Sequence, residues 1–352
     1  MAVNLAAKYS DKIAAKFTCE SYLKGRTSGD FDFDGVKGIK IYTPVTVPLN
    51  DFQRGGVSRY GTPQEMQDTV QSLLMTQDKS FTLTIDKGNN SEQVMVKNAG
   101  RMLNLQIQEQ CVPVFDRYAF SRYIRDAGCV LGVESKPTKA NIVEIISRAV
   151  QKLDDQCAPQ SDRTLFATSE MVSLIRLSPE YSGVESLSRE ALSKGAVGEI
   201  MGASVVKVPV SYLPADCYLL LCHKKSVLFP VKIQDAKVHR DPPGFSGALL
   251  EGRFLYDAFV VGACSGGICA VVLSSQKQAA PALGGTAPSF TLLSAGAEEI
   301  RYTADGTDPR YSESAKIYTG AVTLAESATV KAVAYAEGKF TSDVTEGAVA
   351  AA

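Results

Sequence analysis

Two stretches in which apolar and polar residues alternate constrain the fold more than any other feature of this sequence. They are Val36–Leu49 and Leu73–Ile85, and the polar, glycine-containing segment Asn50–Thr69 lies between them. Alternation with a period of two places every second side chain on one face of a β-strand. The pattern therefore predicts an extended β-hairpin with a long polar tip, within residues 36–91.

A two-stranded ribbon of this kind is unstable alone in water and needs a surface to pack against. The sequence leaves two arrangements open. The hairpin lies on its own domain, or it projects and packs on another subunit, since long structureless loops are uncommon in compact domains unless they have a function. Four charged residues around the tip are candidate inter-subunit contacts, with solvated side chains as the alternative: Asp51, Arg54, Arg59 and Glu65.

Beyond the second alternating stretch the hydrophobic period becomes that of a helix. Ser91 is a suitable N-cap, and apolar residues then recur every three or four positions as far as Cys111. Pro113 should kink or end this helix, because proline lacks the amide hydrogen and clashes with the preceding turn. A second helix is predicted over Val114–Ala127 and a third over Thr138–Asp155.

Short apolar runs among and after these helices predict buried strands. TLFAT at Thr164–Thr168 and CYLLLC at Cys217–Cys222 are examples. The runs Leu250–Val261 and Ile268–Ser274 flank Ser265–Gly267, which predicts a hairpin with a glycine turn. Helices and strands are mixed along the chain, so the predicted fold class is α+β.

The last part of the chain has a pattern of its own. Residues 276–286 are rich in Ala and Gly and predict a linker. Residues 287–352 then contain only short alternating strands and turns, which is typical of a small β-sandwich. Asp305 and Asp308 flank one of these turns, and we expect their carboxylates to bond nearby backbone amides rather than a metal.

The sequence lacks the residue patterns of a catalytic or metal site. It has two histidines, neither in a metal or triad motif, and eight scattered cysteines without a C-x-x-C pair. Cys217, Cys222 and His223 are close in sequence, but their spacing does not fit a zinc site and the residues between them are strand-like. We therefore expect buried free thiols, no cofactor and no enzymatic activity.

Charge and hydropathy argue against further classes of function. The formal net charge is −1, and no apolar run approaches the roughly 20 residues of a membrane span. The N-terminal segment has no secretory pattern, so we expect a soluble protein that is made and assembled in a cytoplasm. No basic arm or groove predicts sequence-specific binding of nucleic acid.

The order of these parts resembles the major capsid proteins of tailed bacteriophages, which share the Hong Kong ninety-seven-type fold. FTLTIDKGNN resembles the return strand of their extended loop, NAGRMLNLQIQEQCVPVFDRYAFSRY their spine helix, and GEIMGASVVKVP the turn and strand of their axial domain. The resemblance implies this division of the chain: N-terminal arm 1–35, extended loop 36–91, spine helix and peripheral domain 92–136, axial domain 137–247, and returning peripheral strands 248–275.

The end of the chain resembles a different family. IRYTADGTDP and the YTG and alternating segments that follow it are similar to the Ig-like C-terminal domain of some chitobiase and hexosaminidase enzymes. In those enzymes the domain is an accessory to the catalytic part. The resemblance implies an Ig-like domain at 287–352 that is displayed on an outer surface, with weak surface or carbohydrate adhesion as a candidate role.

Together the resemblances imply a structural function. Copies of the chain would self-assemble through hexamers and pentamers into an icosahedral shell, assembled in the host cytoplasm and found in the virion, which confines phage double-stranded DNA. Portal, scaffolding and head-decoration proteins are further candidate partners, and no membrane is expected. Two alternatives stay open: another phage structural protein such as a tail-tube protein, and a carbohydrate-active enzyme with an accessory β-module.

Overall fold

The computed structural model describes residues 20–31, 33, 38–47, 49–55, 59–63, 65–87, 99–179, 198–244 and 246–351. The helices are α1 (Ala99–Gln106), a π-helical segment (Ile107–Cys111), α2 (Val112–Arg125), α3 (Ile142–Asp155) and α4 (Ser169–Arg176), with short 3-10 turns at Val210–Tyr212, Lys224–Ser226, Gly262–Gly267 and Ser274–Gln276. Most of the predicted N-terminal arm and the predicted helix start at Ser91 lie outside the described residues. Within the described ranges, no helix is long and apolar enough to cross a membrane.

Twenty strands lie within the residues that the structure describes. Those before the tail are β1 (Gly38–Val45), β2 (Gln67–Leu74), β3 (Gln77–Asp86), β4 (Cys129–Val133), β5 (Arg163–Thr168), β6 (Glu199–Ile200), β7 (Ala203–Val208), β8 (Cys217–His223), β9 (Val227–Leu228), β10 (Val231–Arg240), β11 (Gly247–Tyr256), β12 (Phe259–Val260) and β13 (Ile268–Leu273). Those of the tail are β14 (Ala282–Gly284), β15 (Ser289–Leu293), β16 (Glu299–Thr303), β17 (Lys316–Ile317), β18 (Val322–Thr323), β19 (Ala328–Tyr335) and β20 (Thr345–Val349).

The predicted extended hairpin exists, but its second strand is β2. β1 and β2 pair antiparallel over their whole length. The prediction of one strand over Leu73–Ile85 is wrong, since Met75 and Thr76 separate β2 from β3. The Asp257 carboxylate accepts hydrogen bonds from the Thr76 amide (2.9 Å) and hydroxyl (2.8 Å), so the Thr76 amide is bonded to a side chain and not to a neighbouring strand. β3 pairs instead with β11, in a sheet of order β10-β11-β3.

The two helices predicted on either side of Pro113 form one helical stretch with a local irregularity. α1 leads into the π-helical segment, and α2 follows with Pro113 in its first turn. Because a proline ring clashes with the carbonyl four residues earlier, a wider π-turn just before Pro113 gives the ring room. Pro113 therefore distorts the helix without ending it, and α2 ends at Arg125, close to the predicted end.

A six-stranded mixed sheet of order β4-β13-β8-β5-β7-β6 forms the centre of the body. It is buried on both faces, as β8 illustrates. Leu219 and Leu221 belong to the core formed with α3 and α4, whereas Leu220 and Cys222 belong to the core formed with α2. Alternate residues of one strand thus meet helices on opposite sides, which explains why CYLLLC is apolar throughout.

The prediction of a hairpin between Leu250–Val261 and Ile268–Ser274 is wrong. β11 pairs with β3 and β10, whereas β13 lies in the central sheet between β4 and β8. The connection Gly262–Gly267 is a 3-10 segment rather than a tight turn between paired strands. Strand β13, within the segment predicted as returning peripheral strands, therefore shares a sheet with strands of the predicted axial segment; the domain boundaries themselves stay predictions.

The tail folds as a β-sandwich, as predicted, and residues 282–351 are called the tail module. One sheet has the order β14-β15-β18 and the other β17-β16-β19-β20. Residues of both sheets share one core, in which the rings of Phe290 and Tyr302 are 5.5 Å apart. Strand β14 lies inside the predicted linker 276–286, so part of that segment is paired backbone.

Candidate interaction surfaces

The segment between β1 and β2, residues 46–66, is called the hairpin loop, and it exposes apolar side chains. Leu49 is fully exposed, Met66 is 71% exposed and Val47 is 56% exposed. Phe52 and Tyr60 contact each other edge to face at 5.1 Å, yet each remains more than half exposed. Exposed apolar side chains of this kind make the loop a candidate interaction surface.

Local hydrogen bonds shape this loop without burying it. The Gln53 amide donates to the Arg59 carbonyl (3.1 Å), and Asn50 Nδ2 donates to the Tyr60 carbonyl (3.5 Å). Gly61 has a φ of +86°, and a Cβ there would lie 2.4 Å from Asn50 Nδ2. Glycine is required at that position, because it alone adopts the left-handed conformation readily and leaves room for the asparagine.

The structure places all four predicted contact residues, Asp51, Arg54, Arg59 and Glu65, in the hairpin loop, and all are exposed. Their role between subunits remains a prediction. The sequence reasoning assigned Val47 and the neighbouring Leu49 to one face of a strand, but β1 ends before them. Their exposure as loop residues was therefore not anticipated, although the proline-containing end of the alternating stretch was a signal for it.

The base of the hairpin is anchored on the body of the same chain. Ile41 and Leu73 are buried with Phe259 in a common core. Gln71 Nε2 donates to the carbonyl of Val260 (2.8 Å) while its Oε1 accepts from the amide of Gly262 (2.8 Å). The base of the hairpin therefore lies on its own chain, whereas packing of the hairpin loop on another subunit stays a prediction.

A second surface joins the tail module to the end of α2. Helix α2 ends at Arg125, where the chain leaves the helical hydrogen-bond pattern and backbone carbonyls need other partners. Here three side chains of the tail module donate to four successive carbonyls: Thr341 Oγ1 to Arg125 (2.5 Å), Tyr311 OH to Asp126 (2.6 Å), and Arg310 Nη1 to Ala127 (2.5 Å) and Gly128 (3.1 Å). The tail module is therefore docked on the helix end through specific hydrogen bonds.

Arg310 is central to this junction. Its side chain is 7% exposed, and Asp308 pairs with it through both oxygens, at 3.0 Å for Nε–Oδ1 and 2.6 Å for Nη2–Oδ2. The guanidinium charge faces the negative end of the α2 dipole, where cations are favoured. Burial raises the pKa of the neighbouring Tyr311, so its phenol stays protonated and can donate its hydrogen bond.

The same loop of the tail module reaches the hairpin base. The Glu313 amide donates to the Val70 carbonyl on β2 (3.2 Å), and its carboxylate pairs with Lys40 on β1 (2.9 Å) and accepts from the Ser72 hydroxyl. These hydrogen bonds, from Ser72 first and then Lys40, lower the pKa of the Glu313 carboxyl. The sequence reasoning missed Arg310 and the other junction residues, because no periodic pattern distinguishes them.

The turn chemistry predicted for this region is confirmed. The Thr307 amide donates to Asp305 Oδ1 (2.9 Å), and the Arg310 amide donates to Asp308 Oδ1 (2.9 Å). The described cysteines are free, as predicted; Cys217, Cys222 and Cys269 are buried, but the prediction of a buried thiol is wrong for Cys157, which is exposed. Across the described ranges no cluster of three or more His, Cys, Asp or Glu side chains could hold a metal ion.

The fold is similar to solved phage structures. A structure from Mycobacterium phage Che8 matches with a TM-score of 0.63 and 16% identity, over 76% of this chain and 97% of that one. The capsid structure of the cyanophage P-SCSP1u matches at 0.61 and 11% identity, over 77% and 93%. The mature capsid of bacteriophage PhiM1 matches at 0.59 and 13% identity, over 76% and 92%. The predicted capsid fold is confirmed.

The tail has a separate match. The family model described as Fn3 associated matches residues 290–349, which fits the predicted Ig-like module. No curated protein matches the chain. The chain therefore combines a phage capsid fold with an Ig-like β-sandwich.

Proposed function

We propose that this chain is a phage major capsid protein, a structural and non-catalytic subunit that self-assembles into a closed shell. The observation that carries the proposal is the shared fold, which extends over nearly the whole length of chains from capsid structures. The exposed apolar hairpin loop supports it, because a subunit that completes its burial on neighbouring copies needs such a surface.

The loop's apolar residues would supply most of the contact energy. Burying a Leu or Met side chain fully contributes roughly 1.5–3 kcal/mol, whereas an exposed ion pair contributes about 0–1 kcal/mol. On this comparison Leu49 and Met66 stabilise the contact, and Arg54 and Arg59 mainly fix its register. Since each subunit makes several contacts at once, weak individual contacts are enough to hold a closed lattice.

The assembly, the location and the roles of the chain segments follow from this proposal. Subunits form hexamers and pentamers that close into an icosahedral shell in the host cytoplasm, and the shell becomes part of the virion. It confines double-stranded DNA without reading its sequence. The N-terminal arm at 1–35 and, within the extended segment 36–91, the hairpin loop reach neighbouring subunits, the axial segment 137–247 surrounds the symmetry axes, and the Ig-like domain faces outward. Portal, scaffolding and decoration proteins are candidate partners.

Particle formation by the purified full chain tests this function. We expect closed shells in the megadalton range by light scattering and isometric particles by electron microscopy. Tubes would favour a tail-tube protein and overturn the proposal. A chain that remains monomeric at high concentration, with and without added scaffold candidates from the same phage, would also overturn it.

A further inference from the structure

We propose that the tail module has a second function: it positions the β1–β2 hairpin relative to α2. This goes beyond display of an Ig-like domain on a shell, and it holds for the single subunit whether or not shells form. The observation behind it is that one short segment of the tail module, Asp308–Glu313, contacts both the end of α2 and the base of the hairpin.

The helix end holds one side of this segment. Arg310 and Tyr311 donate to the carbonyls of residues 126–128, which directly follow the last residue of α2. Their donor groups are largely withdrawn from water. A buried polar group without a partner is costly, so these donors and carbonyls stabilise the docked arrangement specifically.

The hairpin holds the other side. Glu313 contacts β2 through its backbone amide and contacts both β1 and β2 through its carboxylate. These contacts lie at the base, and a cleft of about 440 Å³ beside them is lined by Val45 of the hairpin and Thr307 of the tail module, among other residues. The hairpin loop therefore stays available for other contacts while its base is fixed.

The segment between these two contacts is rigid enough to transmit position. The Tyr311 and Ser312 amides both donate to the Asp308 carbonyl (3.2 and 3.1 Å), which makes a compact turn. The Tyr311 side chain lies against Gly262, where an added Cβ would be 2.8 Å from Tyr311 Cβ. Gly262 is also the residue whose amide bonds Gln71 of β2. The turn of the tail module, the body and the hairpin thus pack together around Gly262.

Hydrogen exchange of the full chain, compared between variants in the same assembly state, tests the positioning function. Arg310→Met with Tyr311→Phe removes this segment's side-chain hydrogen bonds to the helix end and leaves the one from Thr341. Lys40→Met with Ser72→Ala removes the contacts of the Glu313 carboxylate with the hairpin, leaves the Glu313 amide bond to Val70, and does not change the tail module. We expect amides of residues 67–74 to exchange about tenfold faster in both variants, as local opening becomes easier. Lys331→Met is the matched control, because its ion pair with Glu346 lies within the tail module.

The outcomes separate this inference from the capsid function. Unchanged exchange over residues 67–74 in the Lys40→Met/Ser72→Ala variant overturns the positioning function, even if the first variant loosens the tail module itself. Faster exchange confined to residues 125–133 in the first variant also overturns it, since the tail module would then only cap the helix. Shell formation is measured separately. If the unmodified chain forms shells but the variants exchange hairpin amides at the unchanged rate, only the positioning function is overturned. If the variants exchange faster but the unmodified chain forms no shells, only the capsid function is overturned.

Discussion

At the scale of single residues, Asp257 organises the region where the hairpin leaves the body. The residue is 1% exposed, and its carboxylate accepts four hydrogen bonds: from the Thr76 amide and hydroxyl, from Tyr118 OH (2.8 Å) and from the Ala258 amide (2.8 Å). It therefore joins the β2–β3 junction to helix α2. A buried carboxylate with this many donors is stable only while all of them are in place.

We expect Asp257→Asn to lower the free energy of unfolding by about 1–3 kcal/mol, the cost of leaving a buried donor unpaired. An asparagine oxygen can replace one carboxylate oxygen, but its amide group would then face the donors of Thr76 or of Tyr118. Urea unfolding of the unassembled subunit, followed by circular dichroism, measures the change. Asp155→Asn is the control, since Asp155 is exposed; equal stability of the two variants would contradict the role given to Asp257.

The charged residues of the hairpin loop give a prediction of a different kind. Arg54→Glu with Arg59→Glu should slow assembly at low salt, and the difference from the native chain should shrink as salt is raised, because exposed charges are screened. Light scattering during assembly measures the rate. The control reverses two exposed lysines outside the loop, Lys139→Glu with Lys316→Glu. A similar slowing in the control would mean that net charge, and not these arginines, sets the rate.

At the scale of elements, the hairpin combines a buried base with an exposed loop. Ile41 and Leu73 attach the base to the body. The exposed apolar side chains of the hairpin loop, such as Leu49 and Met66, contribute little to the fold of the single subunit. In the helical stretch from α1 to α2, Pro113 disturbs the helix locally. The packing of Phe120 and Tyr123 in the core stabilises the helix that follows. Packing against the body therefore fixes the base of the hairpin and keeps the helical stretch continuous through Pro113.

Leu49→Ser with Met66→Ser should separate assembly from stability. Both side chains are exposed, so the free energy of unfolding of the subunit should change by less than about 0.5 kcal/mol, as for most surface substitutions. The yield of shells should fall strongly, because the apolar contact surface is lost. Leu293→Ser is the matched control, since Leu293 is 75% exposed on the tail module. Normal shell yield in the loop variant would show that the loop is not a contact surface.

At the scale of the whole molecule, the tail module is a sandwich with its own core that is tied to the body by a few residues. Besides the helix-end junction, Lys277 Nζ donates to the Val130 carbonyl (2.6 Å) and pairs with Asp343 (2.6 Å). Arg125 of α2 lies over the ring of Tyr335 at 5.7 Å, and burial raises the pKa of that phenol to about 12. These contacts, together with Tyr311 and Phe340 packed against a core of the body, couple the tail module to the body.

We expect the coupling to be visible in calorimetry. The unmodified subunit should unfold in one transition, whereas Arg310→Met with Tyr311→Phe should show two, because each core then unfolds at its own temperature. Scanning calorimetry of the unassembled subunit measures this, with Lys331→Met as the control that should keep one transition. Two transitions in the unmodified chain would show that the junction does not couple the cores.

The sequence predicted the elements well and their partners poorly. The period at Leu73, Met75 and Ile85 continues across the break at Thr76, because Met75 is buried even though it lies outside a strand. Likewise Leu250–Val261 and Ile268–Ser274 each have the pattern of a strand, but pattern does not say which strand lies beside which. Of the candidate surfaces, the hairpin loop was recognised from its polar tip, and the tail junction was not.

Hydrophobic period and turn residues by themselves determined the α+β class, the helices around Pro113, the buried thiols of β8 and the sandwich of the tail. These features depend on residues only a few positions apart, so the local spacing of apolar and turn residues in the sequence predicts them. Only the tertiary structure decided that β3 pairs with β11, that β13 enters the central sheet, and that Arg310, Tyr311 and Glu313 join the tail to a helix end and a hairpin. The β3–β11 pairing and the tail contacts join residues separated by 150 positions or more along the chain, and single donors and acceptors leave no periodic trace in a sequence.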